Sequence, residues 1–82
     1  MMTREDILAQ IRGVLTDLFE IDPSRVTLDA NLNTDLEIDS IDAVDLIDRI
    51  RRFTGKRVSG EAFRSVLTVG DLVGVIERLV SE

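Results

Sequence analysis

Apolar residues recur at helical spacing in three separate stretches of this chain, and no two stretches alternate like paired strands. Ile7, Leu8, Ile11, Val14, Leu15, Leu18 and Phe19 form one stripe, and Thr3 with Asp6 supplies a capping box ahead of it. The spacing predicts a first helix over about residues 3–19. Asp22-Pro23 then marks a break or a one-turn helix start, since proline suits a first helical position and disfavours helix before it. Asp39 and Asp42 cap a second helix over about 40–53. Its buried face is Ala43, Leu46, Ile47, Ile50 and Phe53, with Asp42, Asp45, Asp48, Arg49 and Arg52 opposite. Gly55 suits the left-handed residue that stops it. Ser59 opens a short helix at about 60–66, and Thr68 with Asp71 opens a last one over about 69–81. There Val69, Leu72, Val73, Ile76, Leu79 and Val80 point inward. The expected fold is all-α, a small bundle of three principal helices and one short helix in a single domain over residues 1–82.

Residues 24–38 lack helical spacing, and a lone strand there would have no partner. We read them as a long loop pinned to the core by Leu28, Leu32 and Leu36. Loops of this length in compact domains are uncommon and usually functional. Asp29, Asn31, Asn33 and Glu37 fall at positions 1, 3, 5 and 9 of a calcium-loop register. Two requirements fail: Thr34 stands where the loop needs glycine, and Ser40 where it needs a bidentate glutamate. An organised metal site is therefore not expected, and weak divalent-ion association with the acids is an alternative.

The 82 residues include no Cys and no His. A disulfide scaffold, a thiolate or imidazole metal site, a Cys nucleophile and a Ser–His relay are all excluded. No apolar run approaches a membrane span, and the start leads into no signal-peptide core, so a cytoplasmic location is expected. The net charge of −6 is unevenly spread. Ten acids and one base, Arg25, lie between residues 17 and 48; six bases and one acid, Glu61, lie between 49 and 64. Nucleic acid is a poor partner for the acidic half, and the basic half has few aromatics on which bases could stack. The acidic half looks like a surface kept for basic partners.

Asp39-Ser40-Ile41 opens the second helix directly after the loop. Ser40 falls in the first turn, where free backbone N–H groups and the helix dipole favour an attached phosphate. Ile41 is an apolar side chain on the charged face, a placement that folding does not ask for. The segment Asp35-Leu36-Glu37-Ile38-Asp39-Ser40-Ile41-Asp42-Ala43-Val44-Asp45-Leu46 resembles the phosphopantetheine attachment motif of acyl carrier proteins, usually Asp-Leu-Gly-x-Asp-Ser-Leu-Asp. The similarity runs over the whole chain, in the order of its helices and its long loop.

The resemblance implies a four-helix acyl-carrier bundle that catalyses nothing itself. Ser40 would carry 4′-phosphopantetheine, donated by coenzyme A through a phosphopantetheinyl transferase, and acyl groups would ride on the arm as thioesters. Asp39 would help to present Ser40. Asp35, Ile41, Asp42 and Asp45 would be read by the transferase, a ketosynthase and other acyl-processing enzymes. Leu46, Ile50 and Val66 would line an acyl-chain cavity. The expected state is a monomer without stable membrane insertion. Two features depart from the family. Glu37 replaces the usual Gly, so the loop is expected to reach Ser40 by a different backbone path. Asp48-Arg49-Ile50-Arg51-Arg52 replaces a stretch that is often acidic or apolar in fatty-acid-synthesis carriers; the chain looks more like carriers of a specialised aryl-polyene or polyketide-like pathway, with fatty-acid synthesis as the other reading. Arg49, Arg51 and Arg52 lie near the C-terminal end of the second helix, where they either only stabilise the helix through its dipole or select such enzymes by repelling those built for an acidic helix. The alternative from another class is an acidic helical interaction module in which Ser40 only begins a helix.

Overall fold

The computed structural model describes residues 3–81. Helix α1 spans Arg4–Phe19, α2 Ser40–Thr54, α3 Gly60–Arg64 and α4 Val69–Ser81, with a single 3-10 turn at Pro23–Arg25. Each boundary has a local chemical cause. The Thr3 hydroxyl accepts from the Asp6 N–H and the Asp6 carboxylate accepts from the Thr3 N–H, which starts α1. The same reciprocal pair starts α2 at Asp39 and Asp42. Gly55 ends α2 at φ 72, its N–H donating to the Arg51 carbonyl. Glu20, at φ 55, ends α1 in the same way without being glycine.

α1 packs against α4 and α2, and α2 also packs against α4. Ile7, Ile11, Val14 and Leu15 of α1 meet Leu46 and Ile50 of α2 and Val69, Leu72, Val73 and Ile76 of α4 in one core. Every buried residue among those described is Ile, Leu, Val or Ala. The expected inward faces of α2 and α4 are met at their centres. Ala43, Ile47, Phe53, Leu79 and Val80 are only half-buried, because they lie at helix ends or edges.

The short helix ends two residues before its expected limit. The Val66 N–H turns back to the Phe63 carbonyl at 3.0 Å, which carries the Val66 side chain into the core. The next carbonyl, Leu67, accepts from Leu32 N–H at 2.9 Å. A helix continued through 66 would forgo both.

That bond belongs to a seam with no signal in the sequence pattern. Val69 N–H donates to Ala30 at 3.0 Å and Gly70 N–H to Leu28 at 2.8 Å, around a single antiparallel bridge between Asn31 and Thr68. The long loop thus finds a backbone partner after all, one residue pair wide. Gly70 is required by the close approach, since a Cβ there would lie 2.9 Å from the Leu28 carbonyl oxygen. Leu28 itself is 46% exposed, which corrects the expectation that it pins the loop. Its carbonyl faces the seam, and Leu32 and Leu36 do the burying, with Ile21, Val26, Ala30 and Ile38. Arg12 Nε on the Val26 carbonyl (2.9 Å) and Thr16 Oγ1 on the Ile21 carbonyl (2.9 Å) tie the loop's start to α1.

Glu37 occupies the left-handed region, at φ 58. The glutamate itself takes a conformation that glycine adopts freely. Left-handed backbone costs an L-residue about 1–2 kcal/mol, and glycine returns part of that gain through its freer unfolded chain. Glu37→Gly should therefore stabilise the fold by about 0.5–1 kcal/mol, read as a higher midpoint in urea unfolding at unchanged slope.

The Asp71 carboxylate accepts from the backbone N–H groups of Leu67 (3.0 Å) and Thr68 (3.1 Å) and holds the start of α4. These bonds lower its pKa, as backbone bonds from Thr3 and Ser24 lower those of Asp6 and Asp22. Their folded values lie below the unfolded reference of 3.8, so the contribution is complete above that pH and lost as pH falls through the folded values. In an acid titration followed by circular dichroism, Asp71→Asn should flatten the loss of stability below about pH 4, where unfolded carboxylates titrate.

Candidate functional site

The N-terminus of α2 is built by Asp39. Its Oδ1 accepts from the Ile41 N–H at 2.9 Å and from the Asp42 N–H at 3.0 Å. Ser40 is thereby the first residue of the helix and is relieved of any capping duty. It is exposed, and its hydroxyl makes no hydrogen bond within the described residues. A hydroxyl so placed is free to be modified without dismantling the cap.

A cavity of about 160 Å³ opens beside it, lined chiefly by Ile38, Ser40, Ala43, Phe63, Val66 and Leu67. Its walls come from the loop, the first turn of α2, and the segment around α3. The Leu32–Leu67 backbone bond joins two of those walls. Of the three residues expected to form an acyl cavity, Val66 lines this one. Leu46 and Ile50 do not: both are fully buried, packed between α1 and α4, one and two turns beyond Ala43 on the same helix face. Phe63 and Leu67 are lining residues that sequence reasoning misses, because their place depends on the turn after α3.

The expected partner-facing residues separate into two groups. Ile41, 77% exposed, and Asp45 stand on the outer face of α2 with Asp42. Val44, 65% exposed, joins them; the signal that could have found it is its place at i+3 from Ile41 on a face otherwise charged. Asp35 lies elsewhere. Its Oδ2 accepts from the Asn31 N–H at 2.7 Å, its carbonyl accepts from Arg25, and it lines a different cleft with Ser24, Thr27 and Asp29. The calcium-register residue Asn31 is also occupied with the turn, its Oδ1 accepting from Asn33 and Thr34 N–H groups at 2.9 Å. Among the described residues, no three His, Cys, Asp or Glu side chains converge as metal ligands. No helix there is long and apolar enough to cross a membrane.

Two of the three arginines of α2 are paired. Arg49 reaches across to Asp17 of α1 at 2.9 Å, and Arg52 pairs with Asp48 one turn back at 3.1 Å. Of the three arginines, Arg49 and Arg52 are thus engaged within the molecule, the first through the crossing of α1 and α2 and the second along α2 itself, as the helix-stabilising reading expects.

A free, exposed serine hydroxyl on a helix start, next to a partly apolar cavity, fits a flexible arm with an apolar load. The comparisons agree with that fit. A family model for the phosphopantetheine attachment site matches residues 9–76. Acyl carrier protein 2 of Ralstonia nicotianae is 46% identical over 80 residues, covering 98% of this chain and 99% of that one. The acyl carrier protein of Thermotoga maritima is 35% identical over 78 residues, covering 95% and 96%. A solved structure of the acyl carrier protein from Enterococcus faecalis superposes with a TM-score of 0.74 at 30% identity, covering 98% of both chains. With the family model spanning most of its length and relatives matched nearly end to end, the chain belongs to the acyl carrier proteins, which hold acyl intermediates on 4′-phosphopantetheine.

Proposed function

We propose that Ser40 is the attachment point of the 4′-phosphopantetheine arm, in a monomeric cytoplasmic carrier that performs no catalysis of its own. The observation that carries this reading is the free Ser40 hydroxyl, exposed at the first residue of α2 while Asp39 does the capping. When bound, the arm supplies a terminal thiol on which acyl groups travel as thioesters. The chain's own residues hold the arm's root at a helix N-terminus, whose dipole offsets the phosphodiester charge against neighbouring Asp39 and Asp42. Ile41, Val44, Asp42 and Asp45 form the exposed face beside it, fitted to a phosphopantetheinyl transferase and a ketosynthase with basic and apolar docking surfaces. Coenzyme A is the arm's donor. The rival, an interaction module in which Ser40 only begins a helix, leaves the adjoining cavity unexplained.

Because Asp39 and not Ser40 caps α2, Ser40→Ala should change stability by less than about 0.5 kcal/mol, the usual range for an exposed position. Mixed with coenzyme A and a broad-range transferase, the wild type should gain the arm's mass and the Ala variant should not. Gain by the variant places the arm elsewhere; no gain by either protein leaves the interaction module.

The load should enter between the loop and α3. Phe63 and Leu67 flank the mouth with Val66 behind them, and a longer chain runs on past Ala43 toward Leu46 and Ile50, which must then part. In methyl NMR spectra, acylation of the loaded protein should shift Val66 and Ile38 first, and Leu46 and Ile50 only with longer chains. Spectra identical with and without an acyl group would remove the cavity from this reading.

A further inference from the structure

The bases of residues 49–64 do not form one patch. Arg49 is held by Asp17 and Arg52 by Asp48, so neither offers an uncompensated charge. Arg51 and Arg57 enter no ion pair and no side-chain hydrogen bond within the described residues, and both are exposed. They line the same groove, about 480 Å³, between α2 and the turn leading to α3. Val58 and the half-buried Ile47 give it an apolar floor, and the exposed Val44 adds an apolar edge. Asp48 also borders it, but its carboxylate is answered by Arg52. The groove is therefore apolar at the bottom and positive at the rim.

Val44, Ile47, Asp48 and Arg51 follow one another at i, i+3, i+4 and i+7, a single stripe along α2. The stripe starts beside the acids Asp42 and Asp45 and ends at Arg51, so the sign of the exposed charge reverses along one helix. From residue 45 to 51 the rise is roughly 9 Å. A partner with a uniformly basic surface gains at one end and is repelled at the other. A partner that matches both ends must turn acidic within that distance.

We propose that this groove docks an acid-bearing amphipathic segment of an acyl-processing partner enzyme. Its carboxylates meet Arg51 and Arg57, and its apolar side chains lie on Val44, Ile47 and Val58. Guanidinium groups suit this task because they meet carboxylates through two parallel hydrogen bonds. The inference rests on the carrier reading above and names the chemistry of one partner. It assigns specificity to Arg51 and Arg57 and leaves Arg49 and Arg52 to the fold.

The test uses the full chain, loaded at Ser40 and checked by intact mass. It is titrated in NMR experiments with a helical Leu/Glu peptide, the same peptide with Lys for Glu, and vesicles containing an anionic lipid. The Glu peptide should shift signals of Val44, Ile47 and Val58 and bind at least ten-fold more tightly than the Lys peptide. Its affinity should fall with added salt. Arg51→Gln with Arg57→Gln should lose at least ten-fold, with circular dichroism unchanged, whereas Arg52→Gln should lose little. Equal binding of the two peptides, undiminished binding by the double variant, shifts mapped to another face, or vesicle binding without peptide binding would each overturn the proposal. Failure to load Ser40 would instead sink the carrier reading, and the peptide titration can still be read on the unloaded chain.

Discussion

The fold depends on aliphatic burial between α1, α2 and α4, with nothing else in the interior to help it. No described polar or charged residue is buried, and the three phenylalanines are only partly covered. Aliphatic side chains pack without directional contacts, so such a core drives collapse but says little about where helices begin and end. That task falls to side-chain caps at the surface: Thr3 and Asp6, Asp39 and Asp42, Ser59, and Asp71. The division matters for function, because the cap that starts α2 also decides which residue stands first in it. Asp39 takes the two backbone N–H groups, and Ser40 is left with an idle hydroxyl.

The loop and α3 complete the arrangement from the other side. The seam between residues 28–32 and 67–70 joins the loop to the entry of α4, and it carries the wall of the cavity with it. Among the helices, α3 packs only against α4. One wall of the cavity is therefore a five-residue helix with a single neighbour, while the opposite wall belongs to α2, which is held by both α1 and α4. Local stability follows the density of such contacts, so the yielding side is the α3 side.

Much of this is legible in the sequence wherever the cause is local. Capping pairs three residues apart and apolar stripes at helical spacing place α1, α2 and α4 to within a residue, and Gly55 marks where α2 stops. What escapes is set by contacts between distant residues. The early end of α3 depends on Leu67 meeting Leu32; the exposure of Leu28 depends on its carbonyl facing Gly70. The pairing of Arg49 with Asp17 depends on how two helices cross. In the site, Ser40 and Asp39 are readable as a capped helix start, and Ile41 as an apolar residue out of place. Val44 is readable by the same logic. Phe63 and Leu67 at the cavity mouth are not, since nothing in their own neighbourhood says which way the chain turns after α3.

The small size of the cavity beside Ser40 has a consequence for how cargo is held and given up. A pocket of about 160 Å³ could bind a free apolar molecule only weakly. Under the proposed attachment at Ser40, an acyl chain would not come from solution; a short flexible linker would present it at an effective concentration of about millimolar. An intrinsic dissociation constant of roughly 100 µM then gives an occupancy of about nine-tenths, by the ratio of the two concentrations. Weak intrinsic binding also means fast escape. On that attachment the tether would provide the occupancy and the small pocket the release, so shelter for the cargo and prompt delivery would not compete.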